Sequence, residues 1–322
     1  MLKAYDYFEY AEDNNVDQQA TILAEEIGLL KTIVAGISKE RNDCVYCLCN
    51  NVKMEPFFEK WGIEYCRCPA CYTITANISE SEINSFKTND TLLDFRTLSY
   101  YQEEVAKQRD LDWEELIDWI YFRTYRYIQK KCFSIVDFGN RYELLTEKIQ
   151  SSSFCEIYEL RDSIIKQKES SKRTIKKADI ALHFNILPQT LTPIDDLKDI
   201  GKRLRQGGLL FFSSRIGTGF DILALMGNSR ILPYDHIYLP SITVLKQILE
   251  RAGYRVLEVS TPGRLDVIYV KDNRDKINDN QYFLKLLMER ADKTVLQELQ
   301  RFLQKSEMSS FVQIVAQKVV EL

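Results

Sequence analysis

The sequence predicts an α/β fold built on a mostly parallel sheet, and three observations carry that prediction. From Cys132 onward, short β-rich runs alternate with helical segments: CFSIVDF, YELLTEKIQ, FCEIYEL, ADIALHF, PIDDLKDIGKRLRQ, GGLLFFSS, SITVLKQILERAG and YRVLEVS. Such alternation places parallel strands in one sheet with helices on both faces. Runs such as GGLLFF are almost continuously apolar, which suits strands covered on both sides. A late apolar run, FVQIVAQKVV, follows helical stretches and reads as one more strand at the end of the chain.

The rest of the chain divides around that sheet. Residues 1–41 form an N-terminal helical segment, in which 16–38 (VDQQATILAEEIGLLKTIVAGIS) carry apolar residues at helical spacing. That face packs on the rest of the chain, or serves a second copy or a protein partner. Residues 42–78 hold a cysteine cluster, 79–130 a helical linker region ending in DWEELIDWIYFRTYRYIQKK, and 131–322 the α/β domain. Composition excludes several classes. The 322 residues are 45% hydrophobic and 28% charged, which is globular rather than disordered. The net charge of −4 supplies no global attraction to nucleic acid or anionic lipid. No apolar run is long enough for a membrane helix, and MLKAYDYFEYAEDNN lacks a signal-peptide core. A cytoplasmic protein binding neither nucleic acid nor membrane is therefore expected.

Six of the eight cysteines lie between Cys44 and Cys71. Cys44-Val-Tyr-Cys47 and Cys68-Pro-Ala-Cys71 are two C-x-x-C pairs with twenty residues between them, the spacing of a zinc ribbon. Two knuckles of two thiolates each complete a tetrahedral sulfur shell, which leaves no open position and so implies structural zinc. Cys49 and Cys66 offer alternative C-x-C pairs. The set 44, 47, 68 and 71 is preferred because both pairs keep the same spacing.

The segment Ser134–Tyr142 (SIVDFGNRY) sits between a strand and a helix. Asp137 two positions before Gly139 at such a turn suits a nucleotide-like ligand, since glycine allows close backbone approach and the helix N-terminus presents its amides. About twenty residues on, the strand FCEIYEL carries Glu159, placed to accept ribose hydroxyls. In the order VDFG, ELR, ADIALHFNIL, LKDIGKRLRQGGLLFFSS and PYDHIYLPSITVLKQILERAGYRVLEVSTPGRLDV, the C-terminal two-thirds resembles the class I S-adenosylmethionine (SAM)-dependent methyltransferases of bacterial sugar, polysaccharide and natural-product pathways, many of which carry an N-terminal zinc ribbon. The resemblance implies a Rossmann-like, seven-stranded sheet whose final strand is antiparallel. That strand falls at 310–318, and about 263–308 become a helical insertion before it.

The same resemblance implies a small polar acceptor, such as a nucleotide-linked sugar, and SAM as methyl donor. It places Asp137 and Gly139 in the first cofactor motif, Glu159 at the ribose, and His183, Phe184 and Asn185 along the methyl-donor pocket. Asp235 and His236 match a carboxylate–histidine pair near the acceptor, with His236 as the general base. The family motif usually runs D-x-G-x-G-x-G, whereas this chain has DFGNRYE. Arg141 stands where a second glycine is expected; its side chain either intrudes on the cofactor or pairs with the methionine carboxylate. The intruding side chain would leave a catalytically impaired scaffold or binding subunit. Arg215 and Gly217-Thr-Gly219-Phe-Asp221 read as a flexible loop suited to covering an acceptor. The basic runs 171–177 and 202–205 (KRLR) read as solvated surface.

Overall fold

The computed structural model describes residues 52–78, 99–138, 143–161, 177–185, 187–190, 192–231, 233 and 236–319. The helix read at 16–38, Cys44, Cys47, Cys49, Gly139, Arg141 and Asp235 lie outside these residues. So does the 171–176 part of the first basic run.

The main sheet has six described strands. They are β4 (Phe133–Phe138), β5 (Cys155–Arg161), β6 (Ala178–Phe184), β7 (Leu204–Arg215), β9 (Tyr254–Ser260) and β10 (Phe311–Lys318). Their order is β5-β4-β6-β7-β10-β9. The pairs β4–β5, β4–β6 and β6–β7 are parallel, whereas β10 runs antiparallel to both β7 and β9. Five strands therefore share one direction and the last in sequence opposes them. Seven strands were expected from the resemblance, and six are found among the described residues.

Successive side chains on a strand point to opposite faces, so each strand feeds two cores. Ile135, Ile180, Leu182, Phe211 and Val315 pack on one face with Trp119 and Ile120 of α1 (Ser99–Ile128) and Leu145 and Ile149 of α2 (Glu143–Ser151). Val136, Ala181, Leu210, Phe212 and Ile314 pack on the other with Leu197 and Ile200 of α3 (Pro193–Arg203) and Leu245, Ile248 and Leu249 of α5 (Ile242–Arg251). α3 starts with Pro193 and two acids and ends on Lys202 and Arg203, which matches the helix dipole at both ends. α5 is capped by Ser241, whose hydroxyl accepts from the Val244 amide.

A second, four-stranded antiparallel sheet joins the cysteine module to the main domain. β1 (Glu55–Lys60), β2 (Ile63–Arg67) and β3 (Ile74–Ala76) form a meander, and β3 pairs with the two-residue β8 (Tyr238–Leu239). Ile63, Tyr65, Ile74 and Ala76 share the core cluster of α3 and α5, while Met54, Cys66 and Cys68 form a small cluster of the module's own. Between β9 and β10 lie α6 (Asp266–Asp272), α7 (Tyr282–Arg290) and α8 (Lys293–Lys305). They pack with α4 (Phe220–Leu225) through Leu225, Val270, Met288, Leu296 and Leu303. No helix among the described residues is long and apolar enough to cross a membrane.

Candidate functional site

In an open α/β sheet, ligands occupy the crevice beyond the carboxyl ends of the strands, where successive helices switch faces. Here the helix after β4, α2, lies on one face and the helix after β6, α3, on the other. The switch point therefore falls between β4 and β6, where Asp137 is in register with Leu182. Asp137 stands on one side of it and His183, Phe184 and Asn185 on the other. The residues read as cofactor contacts from two distant segments thus meet at one strand edge.

Asp137 is 1% exposed, and the Tyr158 hydroxyl donates to its Oδ2 at 2.5 Å. Tyr158 was absent from the sequence reading; its only signal is its place beside Glu159 on β5. Glu159 is also buried. Its Oε1 accepts from Arg161 Nε at 2.6 Å and both oxygens accept from Arg203 Nη2, at 3.1 and 3.2 Å. Arg203 and Arg205 belong to the KRLR run, and this corrects its reading as solvated surface. Arg203 reaches Glu159, and Arg205 lies 2.5 Å from the buried Asp179. Ion pairing across 44 residues has no local sequence signature.

His183 is 4% exposed and lies parallel to the Phe212 ring, with centroids 5.6 Å apart. Its Nδ1 has no hydrogen-bond partner among the described residues. Burial pushes its pKa down to about 4 from the usual 6.5, so the ring is neutral near pH 7. A histidine whose folded pKa is lowered stabilises fully above its unfolded pKa, and that stability is lost as pH falls. Between pH 6.5 and about 4 this group alone removes about 3 kcal/mol. His183→Gln should therefore flatten the acid limb of a denaturant-midpoint profile over that window. An unchanged slope would show that His183 titrates normally. Asn185 takes a left-handed conformation, φ 56°, and its amide donates to the Ser213 carbonyl at 2.9 Å, which closes the turn after β6.

His236 reaches the same edge by a different route. Its carbonyl accepts from the Tyr65 hydroxyl of the cysteine module at 3.2 Å. The next amide, of Ile237, donates to the Pro188 carbonyl just after β6, and the Ile237 carbonyl accepts from Ala76 of β3. The segment carrying His236 is thus held between the module and the turn that follows His183–Asn185. Gly217 belongs to this contact: its amide donates to Pro240, and a Cβ there would lie 2.5 Å from the Leu239 carbonyl.

The stretch from Arg215 to Asp221, read as a flexible acceptor loop, is wired in place. The Asp221 carboxylate accepts from the Arg215 guanidinium and the Ser310 hydroxyl, and Gly219 lies against Ser310. Nearby, Asp266 accepts from the Ser309 hydroxyl, the Ser310 amide and Gln300. Arg264 pairs with Glu115 of α1. These groups fix the helices between β9 and β10 to the sheet.

Cys68 and Cys71 form a closed knuckle between β2 and β3. The Tyr72 amide donates to the Cys68 carbonyl and the Cys68 amide to the Thr73 carbonyl, both at 2.9 Å, with Tyr72 left-handed at φ 60°. Cys66 and Cys68 are buried against Met54 and Val52, and the Cys66 thiol donates to Glu64 Oε2 at 3.9 Å. No group of three metal-ligating side chains occurs among the described residues, which include two of the four cysteines read as ligands.

No family model matches the chain, and no curated protein matches it. Among solved structures, the chain is similar to the plantazolicin methyltransferase BamL, in complex with a triazolic desmethylPZN analog and SAH. The identity is 13%, coverage is 74% of this chain and 94% of that one, and the TM-score is 0.43. It is similar to coclaurine N-methyltransferase bound to N-methylheliamine and SAH at 12% identity, 64% and 72% coverage and a TM-score of 0.37. The cyclase SpnF matches at 12% identity, 63% and 81% coverage and a TM-score of 0.38. Likenesses this distant carry no argument about function, which rests on the residues above.

Proposed function

We propose that this protein is a SAM-dependent methyltransferase of the class I family, acting on a small polar acceptor such as a nucleotide-linked sugar. The observation that carries the reading is the switch point between β4 and β6, with Asp137 on one side and His183–Asn185 on the other. The donor set suits an adenosyl ligand: a carboxylate on β4 with Gly139 two positions on in the sequence, an acid on β5, and aromatic and amide side chains at the end of β6. Asp137, Gly139, Glu159, His183, Phe184 and Asn185 would hold the cofactor, with Arg141 on its carboxylate. Bound there, SAM would supply an electrophilic methyl group on sulfur. The chain's part is to align the acceptor for in-line attack and to remove its proton, with His236 as the base beside Asp235. Glu159 would exchange its Arg161 and Arg203 partners for ribose hydroxyls.

One observation favours a second reading, a catalytically impaired member of the fold serving as a binding or scaffold subunit. Both Glu159 oxygens already accept from guanidiniums. Calorimetric titration with SAM separates the two. Micromolar binding that is lost in Glu159→Ala supports the enzyme. Binding that appears only in Arg141→Gly shows a blocked pocket and makes the scaffold reading lead.

We also propose that Cys44, Cys47, Cys68 and Cys71 hold a structural zinc ion. The Cys68–Tyr72 knuckle supports this, since its closed turn presents two cysteines three positions apart from one loop.

A further inference from the structure

Packing alone does not explain why residue 158 is a tyrosine. Its ring is 8% exposed and belongs to the core on the α2 face of the sheet, with Phe133, Leu145, Ile149 and Phe154. Phenylalanine would fill that cluster without the cost of taking a hydroxyl out of water. A tyrosine hydroxyl in such a place is retained for a polar contact.

The contact is made at the candidate cofactor site. Tyr158 on β5 stands opposite Ile135 on β4, and Asp137 lies two residues further along the same face. The ring leans along the strand toward the carboxyl edge, and its hydroxyl donates to Asp137 Oδ2 at 2.5 Å. That length is the one found between a hydroxyl and an ionised carboxylate. A hydroxyl has a single proton to give. With it committed to Asp137, the phenolic oxygen is left to accept, and Thr146 Oγ1 of α2 lies 3.4 Å away.

These two neighbours flank one turn. β4 ends at Phe138 and α2 begins at Glu143, so Asp137 lies before the turn that carries Gly139 and Arg141, and Thr146 lies after it. One hydroxyl from a third element therefore touches both the strand entering the turn and the helix leaving it. The ring that carries it has only two side-chain torsions, both fixed by the surrounding core, so the hydroxyl is held at one point at low entropic cost. Glu159, the next residue, points to the opposite face, where Arg203 at the end of α3 meets it. The two neighbours on β5 thus serve different sides of the sheet.

We infer that Tyr158 is a positioning residue of the proposed SAM site. Its hydroxyl orients Asp137 and ties β4 to α2, and so sets the turn between them for the cofactor. The inference rests on the methyl-transfer reading and adds a residue to it that touches no part of the cofactor itself.

The full chain is titrated calorimetrically with S-adenosylhomocysteine (SAH) as wild type, Tyr158→Phe and Ile149→Val. Ile149→Val is the packing control, since it loosens the same cluster and leaves the hydroxyl in place. Tyr158→Phe should weaken SAH binding about tenfold, as loss of one hydrogen bond to a charged group requires, while Ile149→Val stays within about twofold of wild type. A second readout is spectroscopic. In protein isotopically labelled at tyrosine Cζ, the Tyr158 resonance is identified by its loss in Tyr158→Phe. Saturating SAH should shift it in the wild type, because the bond to Asp137 responds when a ligand settles on the turn. Unchanged affinity in Tyr158→Phe would overturn the inference, and so would an equal loss in Ile149→Val or a Tyr158 resonance that stays fixed at saturation. Each of those results leaves the methyl-transfer reading standing, because the wild type still binds SAH. Absence of SAH binding by the wild type would remove that reading, and the inference with it.

Discussion

Replacing Asp221 by alanine should destabilise the protein by about 3 kcal/mol, toward the lower end of the range for removing one partner of a buried ion pair. Asp221 is 2% exposed, and its two oxygens accept from Arg215 and Ser310. Alanine leaves the Arg215 guanidinium, whose side chain is 19% exposed, without its counter-charge, and the buried Ser310 hydroxyl without its acceptor. Those stranded groups are the cost, not the lost attraction itself. The double variant Arg215→Met, Asp221→Leu should therefore recover most of the stability, since an apolar pair of similar volume replaces the charges. Urea unfolding of the wild type, Asp221→Ala and the double variant measures this. A loss below about 1 kcal/mol in Asp221→Ala would mean that water reaches the pair and screens it.

That network explains what the sequence could and could not disclose. The strands of the main sheet are legible because most are buried on both faces; ADIALHF and LLFFSS have little choice but to lie inside a sheet. The late strand, read at 310–318, is found at Phe311–Lys318, because an alternating apolar run after two amphipathic helices has few other uses. The Cys68–Cys71 knuckle is legible from spacing alone. The rest fails wherever a partner is remote. Arg215, Gly217, Gly219 and Asp221 look like a glycine-rich connection, yet Asp221 meets Ser310 across 89 residues. HIYLP looks like loop, and Tyr238 and Leu239 are a strand only because β3 pairs with them. β1, EPFFEK, is half exposed and carries charges at three of six positions, so its pairing with β2 decides its structure. At the candidate site, Asp137 and His183–Asn185 could be named from their segments. Their convergence at a switch point, and the capture of Glu159 by Arg203, require the tertiary fold.

A loss of metal, and of local order with it, should follow from removing one ligand of the proposed zinc site. In wild-type protein we expect one zinc per chain by mass spectrometry, falling to a small fraction in Cys68→Ser and in Cys71→Ser, and unchanged in Cys132→Ser, whose thiol is exposed and outside the cluster. Folding of a short knuckle is coupled to its metal, so loss of zinc unfolds what the metal orders. Here the consequence should travel. β3 follows the knuckle directly and shares a sheet with Tyr238–Leu239, while Tyr65 of β2 holds the His236 carbonyl. Amide exchange at Ala76, which donates to Ile237, and at Ile237 itself, which donates to Pro188, should then accelerate by at least about tenfold, the equivalent of about 1.4 kcal/mol of local stability. Amides within the parallel pairing of β4 and β6 should exchange as before. Zinc retained in Cys68→Ser would remove that cysteine from the ligand set. Zinc lost with no change at Ala76 and Ile237 would make the metal a local clasp, with no hold on the segment that carries His236.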